Sequence, residues 1–344
     1  MDPPSRHHKR LRHLDQSQTI VARMKWRMMS EVLLDQIASN FANLSRLVHV
    51  KMAKYLGEKS IFVCQIPSLA DEPKKKLLLH GECPIDYTRI LNVKSTFTQP
   101  PFVAPSMGRS SRPTFSVDAS TAENEYLLSI ETWRQVLGLE KFILLGHSFG
   151  GFLAAAYTLK YHQRVCHLIL EDPWGIGGLT ALARAVGPVL QVANPLKALR
   201  GAYWFGPTLF KKHPLLKRFH ELVKNSEEVF PSYMYQLNAQ QNTGYGFHSI
   251  MQGLLHAKHP IIDRMDDMPK EMPITFIYGE RSWMERSSGY QIKEERFNSY
   301  VDVKVIERCG HDVHVEKYEE FNLIANETCS LSDSVERRNN ADPL

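Results

Sequence analysis

Gly146-His147-Ser148-Phe149-Gly150 places one serine between two glycines, in the spacing G-x-S-x-G. Residues 142–145 before it are a short apolar run of strand formers, and residues 151–160 after it read as a helix. Strand, glycine-flanked serine, then helix is the order that a sharp nucleophile turn needs, because its backbone crowds itself at both ends and only glycine clears those positions. Such a turn lifts the Ser148 hydroxyl out at the top of a sheet, within reach of a base. It also sets the Phe149 amide beside a helix N-terminus, where developing negative charge can be received. The structural alternative is a glycine-rich turn whose serine merely caps the helix.

A hydroxyl is a weak nucleophile until a base takes its proton. The strand pattern over residues 301–306 is followed by Cys309-Gly310-His311 and then by a helical pattern over residues 315–326, so His311 is the expected base. The supporting acid is sought in the loop after the strand 273–278, which ends in Gly279 and offers Glu280 and Glu285. Taking Glu285, the chain order is Ser148, Glu285, His311, the order found in α/β hydrolases. His311 would take the proton from Ser148 and return it to the leaving group, while Glu285 would hold the imidazole tautomer. Upstream, the strand 76–79 runs into His80-Gly81, where a second oxyanion amide belongs, so Gly81 joins Phe149 as an expected donor. Gly81 can equally mark a tight loop. Glu82 follows directly, a poor neighbour for developing negative charge unless its carboxylate points away.

The elements that must position these groups alternate. A helix is expected over residues 121–137 and a buried strand over 165–170, ending in Glu171-Asp172-Pro173-Trp174-Gly175. Alternating strands and helices imply right-handed crossovers and a mostly parallel central sheet with helices on both faces, and a ligand beyond the carboxyl ends of the strands. This α/β core is assigned to residues 58–175 and 268–330. The stretch 99–105, Gln-Pro-Pro-Phe-Val-Ala-Pro, is a weak strand because proline cannot donate into a ladder. Over residues 176–267 the strand pattern stops and an inserted helical cap is expected, with one of its short helices over 250–255. Its aromatics Tyr203, Trp204 and Phe205 suit a lipid-sized apolar site, although packing explains them as well. Lys211, Lys212, Lys217, Arg218 and Lys224 could meet a phosphate headgroup or simply face water.

At the ends, residues 1–18 form a basic leader expected to be disordered, and residues 331–344 a disordered tail. Residues 19–57 carry a helical pattern, either an amphipathic membrane-surface or organelle-directed helix or one packed on the domain. The 344 residues, 43% hydrophobic and 23% charged, describe an ordinary globular protein. A formal charge of +5 permits attraction to anionic lipid but brings no basic stripe for nucleic acid. Five cysteines without C-x-x-C spacing favour a reducing compartment over a disulfide framework, and no stretch reaches the length of a membrane span.

Beyond the isolated motifs, several stretches together resemble the α/β-hydrolase subfamily of abhydrolase-domain-containing proteins 4 and 5. They include GRSSRP (108–113), LLGHSFGGFLAAAY, VCHLILEDPWG, ANPLKALR (193–200), FHSIMQG, PITFIYGERSWMERSSG and CGHDVHVEKYEEFN. The resemblance implies Ser148 at the nucleophile position, where the lysophospholipase-like relative keeps serine and the lipase co-activator has asparagine. It places His311 on the family histidine and Glu285 on the family aspartate. A proposed acyltransferase motif, histidine, four residues, aspartate, falls on His311 and Glu316, with glutamate in place of aspartate. The relatives' glycine-rich continuation of His-Gly and their later Phe-Asp strand have no counterpart between Glu82 and Met107. The implied activity is serine hydrolysis of (lyso)phospholipids or N-acyl phospholipids through an acyl-enzyme, with neither metal nor organic cofactor. The alternatives are a lipid-droplet-associated lipase co-activator, or acyl transfer from acyl-CoA to lysophosphatidic acid. The implied setting is a peripheral membrane or lipid-droplet surface or the cytoplasm, with the mitochondrion as the alternative.

Overall fold

The computed structural model describes residues 76–80, 102–106, 112–177, 208, 244–252 and 256–341. The basic leader, the segment 19–57, Gly81, Glu82 and the aromatic and lysine residues of the expected cap lie outside the described residues.

Six strands form one parallel sheet: β1 (Lys76–His80), β2 (Phe102–Val103), β3 (Phe142–His147), β4 (Val165–Glu171), β7 (Ile274–Gly279) and β8 (Val301–Ile306). Their order across the sheet is β2-β1-β3-β4-β7-β8. β3 and β7 are buried at every residue and β4 at all but Cys166. That matches their near-continuous apolar runs, since a parallel sheet covered on both faces leaves no wet side for polar alternation. β8, at the margin, is only half-buried along its middle. The weak strand of residues 99–105 contracts to the two residues of β2, held at the opposite margin by Leu79↔Phe102 and His80↔Val103. Pro100, Pro101 and Pro105 bracket it and supply no backbone donor.

The chain steps from β1 outward to β2, then returns to place β3 on the other side of β1. This reversal makes the β1/β3 junction a topological switch point, where adjacent connections diverge and leave a crevice at the carboxyl ends of the strands. Ser148 directly follows β3.

Two helices support that end of the sheet. α1 (Ala119–Val136) is capped by Asp118, whose carboxylate accepts from the Thr121 amide at 2.9 Å. α2 (Phe149–Tyr161) is buried from Phe149 through Thr158, and Ala154, Ala155 and Ala156 let it lie close against β3 and β4. Between β4 and β7 the described part contains α3 (Tyr245–Ile250) and a small antiparallel pair, β5 (Met251–Gln252) with β6 (His256–Ala257). A helix over residues 250–255 is therefore replaced: α3 ends at Ile250 and the chain turns extended at Met251.

α4 (Ser287–Glu295) follows β7. After β8 come α5 (Val313–Glu316) and α6 (Tyr318–Ala341). Phe321, Ala325 and Cys329 of α6 share one buried cluster with Ile143, Ile169, Ile277 and Ile306 of the sheet. α6 continues as helix beyond residue 330, into the stretch read from sequence as a loose tail.

Candidate functional site

The turn at Ser148 is as tight as its glycines suggest. A Cβ on Gly146 would lie 2.3 Å from the Gly150 carbonyl oxygen, and one on Gly151 2.7 Å from Cβ of Pro173. Ser148 itself sits at φ 54°, ψ −123°, a region that side chains with a Cβ rarely enter. Its backbone is fixed from both sides. The Ser148 amide donates to the Glu171 carbonyl at 3.1 Å, and its carbonyl accepts from Gly151 at 2.9 Å and Trp174 at 3.0 Å.

His311 Nε2 lies 3.0 Å from Ser148 Oγ. Its Nδ1 lies 2.6 Å from Asp172 Oδ2. With Nδ1–H donating to the carboxylate, Nε2 carries the lone pair that accepts the serine proton. Serine, imidazole and carboxylate therefore form one hydrogen-bonded chain, and all three residues are buried.

The carboxylate against His311 belongs to Asp172, and Glu285 is corrected in that respect. Glu285 is exposed, and its carboxylate accepts from the Ser287 hydroxyl at the start of α4. The end of β7 and the loop after it supply donors instead of the acid: the Gly279 amide, 3.3 Å from Asp172 Oδ1, and the Ser282 hydroxyl on Oδ2. Asp172 immediately follows β4 at φ 42°, a left-handed conformation that aspartate tolerates better than most side chains. Burial raises its carboxyl above the ordinary value, against the opposing pull of His311, Ser282 and Gly279. The sequence signal for it was Glu171-Asp172-Pro173, two carboxylates at the carboxyl end of a buried strand.

Phe149 is the first residue of α2, so its amide lies at the helix N-terminus beside Ser148. Gly81 lies outside the described residues. The Glu316 carboxylate accepts from the Gly310 amide at 2.8 Å, which fixes the turn carrying His311. That contact gives Glu316 a structural task.

A wall of rings flanks Ser148. Phe149 packs against Phe152, Trp174, Phe247 and Tyr126, with ring centroids 4.7 to 6.1 Å apart. Phe247 arrives from α3, so this short helix sets one ring against the first residue of α2. On the outer side, the half-exposed indole of Trp283 lies 5.1 Å from the His311 ring.

Directly beneath lie His147, Glu171 and His314, all buried. Glu171 Oε1 accepts from the His314 amide at 2.8 Å and pairs with His314 Nδ1 at 2.7 Å. Burial works to raise the Glu171 carboxyl, but the charge and hydrogen bonds of His314, with His147 nearby, hold it down to about 2. Burial likewise opposes charge on His314, and Glu171 prevails and raises it. Ligand-type atoms of these three residues lie within 4.8 Å of one another, the grouping among the described residues that a metal ion could bridge. The His314 amide and Nδ1 both meet one Glu171 oxygen, which ties the histidine's backbone and ring to the end of β4.

Comparisons with known proteins agree with the fold. The family profile described as alpha/beta hydrolase fold matches residues 104–318. The chain is 40% identical over 239 residues to a (lyso)-N-acylphosphatidylethanolamine lipase of Mus musculus, covering 66% of this chain and 69% of that protein. It is 42% identical over 238 residues to the 1-acylglycerol-3-phosphate O-acyltransferase ABHD5 of Sus scrofa, covering 66% and 68%. Among solved structures, a bacterial membrane phospholipase A aligns with a TM-score of 0.52 at 18% identity, covering 90% of this chain and 99% of that one. MenH from S. aureus aligns with a TM-score of 0.56 at 18% identity, covering 78% and 98%. At such identities these two speak to the fold alone. No described helix is long and apolar enough to cross a membrane.

Proposed function

The chain belongs to the alpha/beta hydrolase fold family, related to the abhydrolase-domain-containing proteins 4 and 5, and on that premise we propose that it is a serine hydrolase of (lyso)phospholipids or N-acyl phospholipids. The reading rests on one observation, the hydrogen-bonded chain from Ser148 Oγ through His311 to Asp172. In the proposed reaction Ser148 Oγ attacks the acyl carbonyl as His311 Nε2 takes its proton. Asp172 keeps Nδ1 protonated and stabilises the imidazolium. The Phe149 amide receives the oxyanion. His311 then protonates the departing alcohol or amine, and a water activated by the same imidazole releases the acid. The ring wall of Phe149, Phe152, Trp174 and Phe247 supports an acyl chain as the group held there.

A lipid substrate places the protein at a membrane or droplet surface reached from the cytoplasm, with a lipase as a further partner in the manner of its co-activator relative. Acyl transfer from acyl-CoA is the second reading, favoured by the equally strong kinship to the acyltransferase relative. The test is labelling of the purified chain with a fluorophosphonate probe, beside Ser148→Ala and His311→Ala. Labelling that depends on both residues is expected, followed by release of fatty acid from lysophospholipid vesicles. A wild-type chain that takes no label overturns the hydrolase. Label with acyl-CoA-dependent product and no free fatty acid selects the transferase.

A further inference from the structure

We propose that Glu171, His314 and His147 form a clamp beneath the nucleophile whose task is to position His311 against Ser148, an inference that rests on the hydrolase reading above. None of the three is assigned to the reacting atoms, so they are positioning residues. Each is tied in sequence to a residue of the chain above it. His147 precedes Ser148, Glu171 precedes Asp172, and His314 stands three residues after His311.

The clamp closes through four contacts. Glu171 uses its carbonyl to accept from the Ser148 amide at 3.1 Å and its side chain to hold the His314 amide and ring at 2.8 and 2.7 Å. One residue at the end of β4 thus grips the nucleophile turn at one end and the histidine segment at the other. His147, at the end of β3, donates from Nε2 to the His311 carbonyl at 3.0 Å. Its ring packs 4.7 Å from that of His311 and 5.0 Å from that of His314. The segment carrying His311 is therefore held to the ends of both β3 and β4.

The choice of residues argues for orientation over stability. A buried ion pair costs desolvation on both partners, and apolar side chains of similar volume are often as stable in its place. What apolar packing cannot reproduce is direction. A carboxylate that accepts a backbone amide and a ring N–H at once fixes both the position and the rotation of the segment. Displacement of a reacting group by about 1 Å can cost about 100-fold in rate.

The experiment compares the full chain with Glu171→Gln and with the double variant Glu171→Leu/His314→Leu. Three quantities are read: melting temperature, fluorophosphonate labelling rate, and the downfield proton resonance of His311 Nδ1–H, assigned by its loss in His311→Ala. The double variant should keep a cooperative melt, label at least about tenfold more slowly and show the resonance shifted or broadened. Glu171→Gln, which retains an acceptor for the His314 amide, should fall between it and wild type. A folded double variant with wild-type labelling rate and an unmoved resonance overturns the clamp. If the double variant does not fold, Glu171→Gln decides by the same two readouts. The resonance needs no turnover, so it judges the clamp even if the wild-type chain takes no label and the hydrolase reading falls.

Discussion

Asp172 is the residue whose replacement discriminates most sharply among roles at the site. Asp172→Asn leaves the shape of the side chain but no longer dictates which His311 nitrogen carries the proton, and a loss of about 10⁴-fold in turnover is expected on the precedent of such triads. Glu285→Gln, made at an exposed carboxylate engaged with Ser287, should change the labelling rate by less than about twofold, as surface changes away from a site usually do. Fluorophosphonate labelling of the two variants side by side checks both. The pairing of Ser148 with His311 was legible because each is marked locally, the serine by its glycines and the histidine by the strand and helix around it. The acid was not. β4 and β7 are adjacent in the sheet and their ends open onto the same space, so a carboxylate after either strand can reach one imidazole. Chain order did not separate them, since Glu285 and Asp172 both fall between Ser148 and His311. Asp172 has the distance.

At the level of elements, the nucleophile turn is the contact with least tolerance. Gly146→Ala would drive a methyl to 2.3 Å from a backbone oxygen that no rotamer change can move. We expect it to destabilise the chain by about 3 kcal/mol or more, measured by urea denaturation, because the β3–α2 junction must separate. Gly138→Ala is the control: its φ of +63° imposes strain, yet nothing lies within 4 Å, so a smaller cost of about 1 kcal/mol is expected. The buried strands β3, β4 and β7 were readable because a run of apolar strand formers has few alternatives in a parallel sheet. β2 was read only as weak, since prolines hide a strand that its neighbour β1 stabilises through register. The extent of α6 was missed for the opposite reason. Its last turns are polar and look like tail, while Phe321, Ala325 and Cys329 anchor its start to the core.

For the molecule as a whole, buried histidines set the response to acid. Burial lowers His147 and His167 to about 4 from an ordinary 6.5. Between those values the unfolded chain binds protons that the folded chain refuses, so stability should fall as pH drops from about 6.5 toward 4, by on the order of a few kcal/mol in total. Glu171, held down to about 2, adds a loss below about 4.5, and the raised Asp172 carboxyl works in the opposite sense over its own range. The contribution of His314, whose affinity for protons is raised, is complete below 6.5 and fades only as pH climbs through its native value. Urea midpoints at pH 7 and pH 5 should therefore differ, with the lower value at pH 5. The backbone at Ser148 carries a different message about the same balance. Side chains pay about 1–3 kcal/mol to sit where it sits, while glycine forgoes about 0.5–1 kcal/mol of chain entropy. Ser148→Gly should thus melt at or above Ser148→Ala, and a chain with no reaction to perform would gain by drifting to glycine there. Thermal unfolding of the two variants turns that comparison into a gauge of how much durability this polypeptide gives up to keep a hydroxyl in place.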